Sequence, residues 1–183
     1  MSQPIHTTIL AGKKFSVMLD RLCYQLIENH RDFSSTVLLG LQPRGIFLAK
    51  AIHERLTHIL GGQKILLGKL DATFHRDDFR RHKNPLIPAA MDINFSLEDK
   101  NVVLVDDVLY TGRTIRAGLD SMLDFGRPAK VELLVLVDRR YSRQLPIEPD
   151  YVGLTVDTRA SQKVKVNWQE ADKENSVLLV SES

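Results

Sequence analysis

The chain has 183 residues, 43% of them hydrophobic and 26% charged, a balance that suits one buried core and excludes a disordered or collagen-like polymer. With 25 basic against 23 acidic residues the formal charge is +2, so a dense basic coat is excluded and any nucleic-acid contact must rest on local clusters. The single cysteine, Cys23, excludes an internal disulfide and a four-cysteine zinc site, and no stretch reaches the roughly 18 apolar residues of a membrane span, so a cytoplasmic protein is expected.

Phe15, Leu19, Leu22 and Leu26, with Cys23 and Ile27 beside them, recur at the spacing of an amphipathic helix. Cys23 then reads as a small buried hydrophobe rather than a reactive thiol. Residues 36–41 (TVLLGL) form a short apolar run of strand length. Gln42-Pro43-Arg44-Gly45 follows it as a tight loop, and Leu48, Ile52 and Leu56 mark a second helix. Residues 66–75 alternate as a strand with one polar face.

Residues 76–98 hold five basic residues counting His82, two prolines and no sustained period. A loop of that length inside a compact domain is more often functional than idle. Residues 101–105 (NVVLV) read as a buried strand ending at Asp106-Asp107, and a helix follows from Thr111 until Gly126 and Pro128 stop it. Residues 131–137 (VELLVLV) are a further buried strand, and shorter β-like runs lie around 151–156, 164–168 and 177–180. Buried strands alternating with helices predict a single α/β domain, residues 1–183, with a mostly parallel central sheet flanked by helices. Such sheets bind ligands beyond the carboxyl ends of their strands, which directs attention to the residues after Leu41, Val105 and Val137.

The densest signal is residues 102–114, VVLVDDVLYTGRT. A helix starting near Thr111 offers unpaired N–H groups and about half a positive charge, Gly112 admits close backbone approach, and the hydroxyls of Thr111 and Thr114 add donors. This is the chemistry of a phosphate cradle. Charge-assisted hydrogen bonds contribute about 1.5 to 3 kcal/mol each, so four or five approach the roughly 8 kcal/mol of micromolar binding before ordering costs. Asp106 and Asp107 add acceptors for the two neighbouring hydroxyls of a ribose and a negative field beside a divalent cation. The plainer alternative makes Asp107 a helix-entry acid and Asp106 a strand end satisfied by backbone donors. The six histidines show no metal-ligand spacing, and Trp168 and Tyr151 read as packing residues.

This stretch resembles the signature of the phosphoribosyltransferases, which bind 5-phosphoribosyl-1-diphosphate (PRPP). Residues 40–52 (GLQPRGIFLAKAI) resemble the family's pyrophosphate loop. With 70–79 (LDATFHRDDF), 137–140 (VDRR), 145–153 (LPIEPDYVG) and 161–166 (SQKVKV), the likeness over nearly the whole chain is to the PyrR family, regulators of the pyrimidine operon with uracil phosphoribosyltransferase activity. The resemblance implies the type I phosphoribosyltransferase fold with a flexible lid. It implies that Asp106 and Asp107 contact the ribosyl hydroxyls, that Thr111, Gly112, Arg113 and Thr114 hold the 5-phosphate, and that Val108, Leu109 and Tyr110 form the intervening loop. Pro43, Arg44 and Gly45 would bind pyrophosphate, Arg139 would border the nucleotide, and the backbone of Val164 would meet the uracil ring. A cation is not preferred at a helix N-terminus, so the position of Arg44 itself favours an anionic ligand.

By the same resemblance the reaction joins uracil to PRPP with Mg²⁺, giving UMP and diphosphate; the metal is held by substrate oxygens and water near Asp106 and Asp107 rather than by a side-chain cluster. Residues 76–98 are the lid candidate, with Arg76, Arg80, Arg81 and Lys83 facing pyrophosphate. The family also binds a leader mRNA and self-associates as dimers or larger rings. Two segments depart from its pattern: Arg139-Arg140-Tyr141-Ser142-Arg143-Gln144 stands where Arg-Gly-His-Arg-Glu is usual, and Arg21-Leu22-Cys23-Tyr24 where Arg-Ile-Ala-His is common. Both lie where the RNA face is expected, although arginine and tyrosine still serve phosphate contact and base stacking. A non-catalytic RNA-binding attenuator, and a transferase for a purine or other base, are the alternative readings.

Overall fold

A computed structural model describes residues 5–72, 92–159 and 161–181. The chain opens with strand β1 (Ile5–Ala11) and helix α1 (Gly12–His30), followed by β2 (Thr36–Leu41), α2 (Gly45–Ile59) and β3 (Leu66–Leu70). Then come β4 (Asn101–Leu109), α3 (Arg113–Met122), β5 (Lys130–Arg140), β6 (Tyr151–Asp157), β7 (Gln162–Asn167), the short α4 (Gln169–Asp172) and β8 (Ser176–Ser181). Five strands form a parallel sheet in the order β3-β2-β4-β5-β6. The remaining three form a separate antiparallel sheet, β1-β8-β7.

The apolar runs are continuous because the central strands are covered on both faces. On one side Leu38, Val103, Val105, Leu134 and Leu136 pack with Leu19, Leu22, Cys23 and Leu26 of α1 and Leu48, Ile52 and Leu56 of α2. On the other, Val37, Leu39, Val102, Leu104 and Val135 meet Ile115, Ala117 and Met122 of α3. The second sheet docks on the first of these cores through Leu10, Val166, Trp168 and Val177. Burial pushes the Cys23 thiol up to about 12, in keeping with a packing role.

Several expectations are corrected. The strand expected over residues 66–75 ends at Leu70, with residues 73–75 outside the described set. The strand expected to stop at the acidic pair continues through it to Leu109, since Val108 and Leu109 still pair with Val137 and Asp138 of β5. Helix α3 therefore starts at Arg113 rather than Thr111, and it gives way at Met122 to a 3₁₀ turn, Leu123–Phe125, before Gly126. The run at 151–156 joins the parallel sheet as an edge strand, whereas 164–168 and 177–180 contribute to the second sheet together with β1, a strand the sequence pattern did not suggest. Among the described residues no helix is long and apolar enough to cross a membrane.

Candidate functional site

The carboxyl ends of β2 and β4 lie side by side and carry the loops predicted to bind ligand. After Leu41 the chain turns through a cis peptide at Gln42-Pro43 into Arg44, which caps α2. Gly45 has no room for a side chain: a Cβ there would stand 2.5 Å from the Val105 carbonyl oxygen and 2.8 Å from Asp106 Cα. The glycine thus lets the Arg44 loop press directly on the strand that carries the acids.

Asp106 and Asp107 are each only 8% exposed. The Asp107 backbone N–H donates to Asp106 Oδ1 at 2.9 Å. Arg44 Nε lies 3.5 Å from Asp107 Oδ2, while Arg44 Nη2 donates to Asp172 Oδ2 at 2.7 Å and to the Val166 carbonyl at 2.5 Å. One guanidinium therefore ties the acidic strand to the second sheet. Burial pushes the Asp107 carboxyl upward; the Arg44 charge, the Val108 N–H and the Trp168 indole N–H oppose it. Asp172 is held below the usual carboxylate range, chiefly by Arg44 and then by the Trp168 backbone N–H.

Beyond Leu109 the turn is short. Gly112 has φ +89°, a conformation in which a side chain is strained, and it precedes α3. Gly112 at the N-cap brings no side chain to the start of α3 and its first turn carries no acid; the Arg113 N–H donates to Thr111 Oγ1 at 3.4 Å, a long contact that an anion at the positive end of the helix can displace. A cavity of about 280 Å³ opens there, lined by Asp106 and by residues 108–115. The loop after β5 roofs it: the N–H groups of Gln144 and Leu145 both donate to the Thr111 carbonyl, and Ile147 packs against Gly112.

Of the expected site residues, Asp106, Val108, Leu109, Tyr110, Thr111, Gly112, Arg113 and Thr114 share this cavity, and Arg44 with Pro43 and Gly45 adjoins the acids. Val108 and Leu109 belong to β4 rather than to a loop. Arg113 turns its guanidinium outward, Nε donating to Gln144 Oε1 at 2.8 Å. Arg139 is only 6% exposed; it donates to Thr158 Oγ1 and the Gln162 carbonyl and lies 4.0 Å over the Tyr110 ring. Val164 is half-buried in β7, paired with Leu179. Arg76, Arg80, Arg81 and Lys83 lie outside the described residues, as does the lid segment up to residue 91.

Sequence reasoning missed Asp172, Trp168, Gln144 and Arg143, the last of which donates to the Tyr110 carbonyl at 2.6 Å. Their distance along the chain from 106–114 left no local signal. Among the described residues no group of three His, Cys, Asp or Glu is placed to hold a metal ion. The site can bind a phosphate at a helix start, take hydroxyls on two acids, and offer a cation to a second anion.

Comparison with known proteins identifies the family and the fold. Residues 6–174 match the phosphoribosyl transferase domain. The bifunctional protein PyrR of Desulfosudis oleivorans is 41% identical over 179 residues, covering 98% of both chains. That of Bacillus subtilis is 42% identical over 164 residues, 88% of this chain and 89% of its own. Among solved structures, a hypoxanthine phosphoribosyltransferase from Staphylococcus aureus superposes with a TM-score of 0.69 over 93% of this chain and 90% of its own at 17% identity. An HGPRT-ase from Leishmania tarentolae in complex with GMP gives 0.71 over 97% and 96% at 16% identity. At such identities these two establish the shared fold alone.

Proposed function

The chain belongs to the PyrR family of phosphoribosyltransferases, and from that premise we propose that it makes UMP and diphosphate from uracil and PRPP. What carries the reading is the meeting of three features at the carboxyl ends of β2 and β4: two buried acids, a helix start behind Gly112 with no acid in its first turn, and Arg44 beside Asp107. Thr111, Gly112, Arg113 and Thr114 bind the 5-phosphate, with the outward-turned Arg113 contributing its backbone N–H. Asp106 and Asp107 accept the ribosyl hydroxyls. Residues 1–183 act as one domain, with residues 76–98 as the lid.

Breaking the bond from the anomeric carbon to pyrophosphate builds positive charge on the ribose and negative charge on the leaving group. The two acids face the first charge. Arg44 faces the second, exchanging Asp172 and the Val166 carbonyl for pyrophosphate oxygens. The uracil nitrogen attacks the opposite face of the sugar with inversion, and closure of the lid keeps water from the cation-like centre. Asp106 and Asp107, two buried acids at the strand end, suit a Mg²⁺ ion carried in on substrate oxygens and water; when bound, it would supply positive charge beside the pyrophosphate. Arg139, already engaged with Thr158 and Gln162, supports Tyr110 at the border of the nucleotide, and Val164 offers its backbone to the base.

The decisive assay supplies PRPP, Mg²⁺ and either uracil or hypoxanthine to the purified protein. Uracil is expected to be converted to UMP with hypoxanthine left unused; preferential use of hypoxanthine overturns the assignment in favour of a purine enzyme.

A second activity, uridine-nucleotide-responsive binding of a pyrimidine leader mRNA in the cytoplasm, is favoured by one surface. Tyr141 is 85% exposed beside Arg140 at the end of β5. Both border a cavity of about 760 Å³ that also takes in Arg143.

A further inference from the structure

Trp168, the chain's single tryptophan, is only 3% exposed, yet it lies beside the ion pair of Arg44 and Asp172. It follows β7 directly, where the second sheet meets the Arg44 loop. The Phe15 ring meets it edge-on at 5.5 Å and the Phe47 ring lies within 24° of parallel at 6.4 Å, so its plane is set from two helices. Its backbone N–H donates to Asp172 Oδ2 at 3.0 Å, the same oxygen that accepts from Arg44.

The indole Nε1 is different. It is buried and completes no hydrogen bond, although an indole N–H shut away from water ordinarily finds an acceptor. Its surroundings lead to Asp107: the Asp172 Oδ2 that accepts from the Trp168 backbone also accepts from Arg44, whose Nε lies 3.5 Å from Asp107 Oδ2, and the indole N–H acts with Arg44 against the effect of burial on that carboxyl. Asp107 therefore has two side-chain donors near it, and only one of them is fixed. Arg44 is the mobile one, because binding pyrophosphate draws its charge away from Asp107.

We propose that Trp168 is a positioning residue for ribose recognition: its indole N–H orients the Asp107 carboxylate toward the sugar hydroxyl once pyrophosphate has engaged Arg44. This rests on the reading of Asp107 and Arg44 as PRPP ligands. The hydrogen bond that the indole lacks here is completed in the bound complex, and loss of the N–H then weakens sugar binding while the aromatic packing survives.

The Trp168→Phe variant keeps a ring between Phe15 and Phe47 and removes the donor. It is expected to raise the KM for PRPP by about 10-fold, the scale of one hydrogen bond to a charged group, with the KM for uracil and the melting temperature near their wild-type values. An unchanged KM for PRPP overturns the proposal. A second measurement does not depend on that variant folding or on turnover. A lone tryptophan gives one indole N–H resonance in a ¹⁵N-correlation spectrum, expected to shift in the Asp107→Asn variant without ligand and to move downfield when the wild-type protein is titrated with PRPP and Mg²⁺. A resonance indifferent to Asp107→Asn overturns the positioning role even if PRPP binds. Failure of PRPP to bind wild-type protein, measured by calorimetry, overturns the proposed function and with it the ribose part of this inference, whereas the Asp107→Asn comparison still decides whether the contact exists.

Discussion

Arg44 illustrates how one side chain can be both structural and functional. A guanidinium offers five donors in a fixed fork, and here the fork is divided between Asp107, Asp172 and a carbonyl of β7. Its side chain is 37% exposed, so solvent screens these contacts and a ligand can compete for them. Replacing Arg44 by alanine removes the charge expected to meet pyrophosphate. Replacing Asp107 by asparagine keeps the volume and removes the negative charge. Each change is expected to lower uracil turnover at least ~10-fold, while the circular dichroism spectrum keeps its wild-type shape. Wild-type turnover in either purified variant removes that residue from the site.

At the scale of elements, the amino ends of the parallel strands hold a second polar cluster, at the far end of the sheet from the acids. His30 closes α1 with Nε2 at 2.8 Å from Glu132 Oε2 of β5, and its Nδ1 meets Thr36 Oγ1 of β2 at 3.1 Å. Tyr151 of β6 accepts from Asn29 at 3.0 Å, and burial pushes its hydroxyl up to about 12. Burial also lowers the His30 pKa, with Glu132 opposing. A depressed histidine binds fewer protons folded than unfolded, so its contribution to stability is complete above its ordinary value of 6.5 and is lost as pH falls from there through the folded value. Denaturant unfolding is therefore expected to show stability falling below about pH 6.5, by no more than about 1.4 kcal/mol per pH unit for this proton. The His30→Gln variant is expected to flatten that slope, and an identical slope in both proteins refutes the attribution.

The same elements explain what could be read in advance. Strands β2, β4 and β5 were legible because burial on both faces leaves continuous apolar runs, and the acids and Gly112 were legible because strand, turn and helix start are consecutive. Strand β1 was not: of residues Ile5–Ala11 only Leu10 is buried, so no period marks it and its pairing with β8 alone defines it. Asp172 and Trp168 were invisible as site residues for a related reason, since only tertiary packing brings them to Asp107, some sixty residues earlier.

Taken as a whole, the molecule brings its catalytic candidates and its basic, aromatic surface to the carboxyl end of β5, on opposite faces of the strand. Arg139 is buried against Tyr110 of the cavity at the start of α3, and the next residue, Arg140, is exposed and paired with Asp157. On the proposed function, a nucleotide beside Tyr110 would be separated from Arg140 by the thickness of one strand, a short route for coupling its occupancy to RNA. Gel-shift assays with a pyrimidine leader RNA are expected to show binding that requires a uridine nucleotide and weakens with salt. Arg140→Ala is expected to reduce the salt slope by about one unit while uracil turnover is unchanged. Binding indifferent to salt rules out a phosphate-contacting face.

The pairing of β1 with β8 sets Ile5 opposite Ser181. During synthesis that ribbon cannot close until β8 has been made, and Val166 and Asp172, which hold Arg44, follow every strand of the parallel sheet in the chain. The five-stranded sheet has all its strands earlier and is free to assemble during synthesis. The clasp on Arg44 is thereby deferred until β7 and α4 have been made, so a product truncated after β6 carries the acids without the partners that organise them.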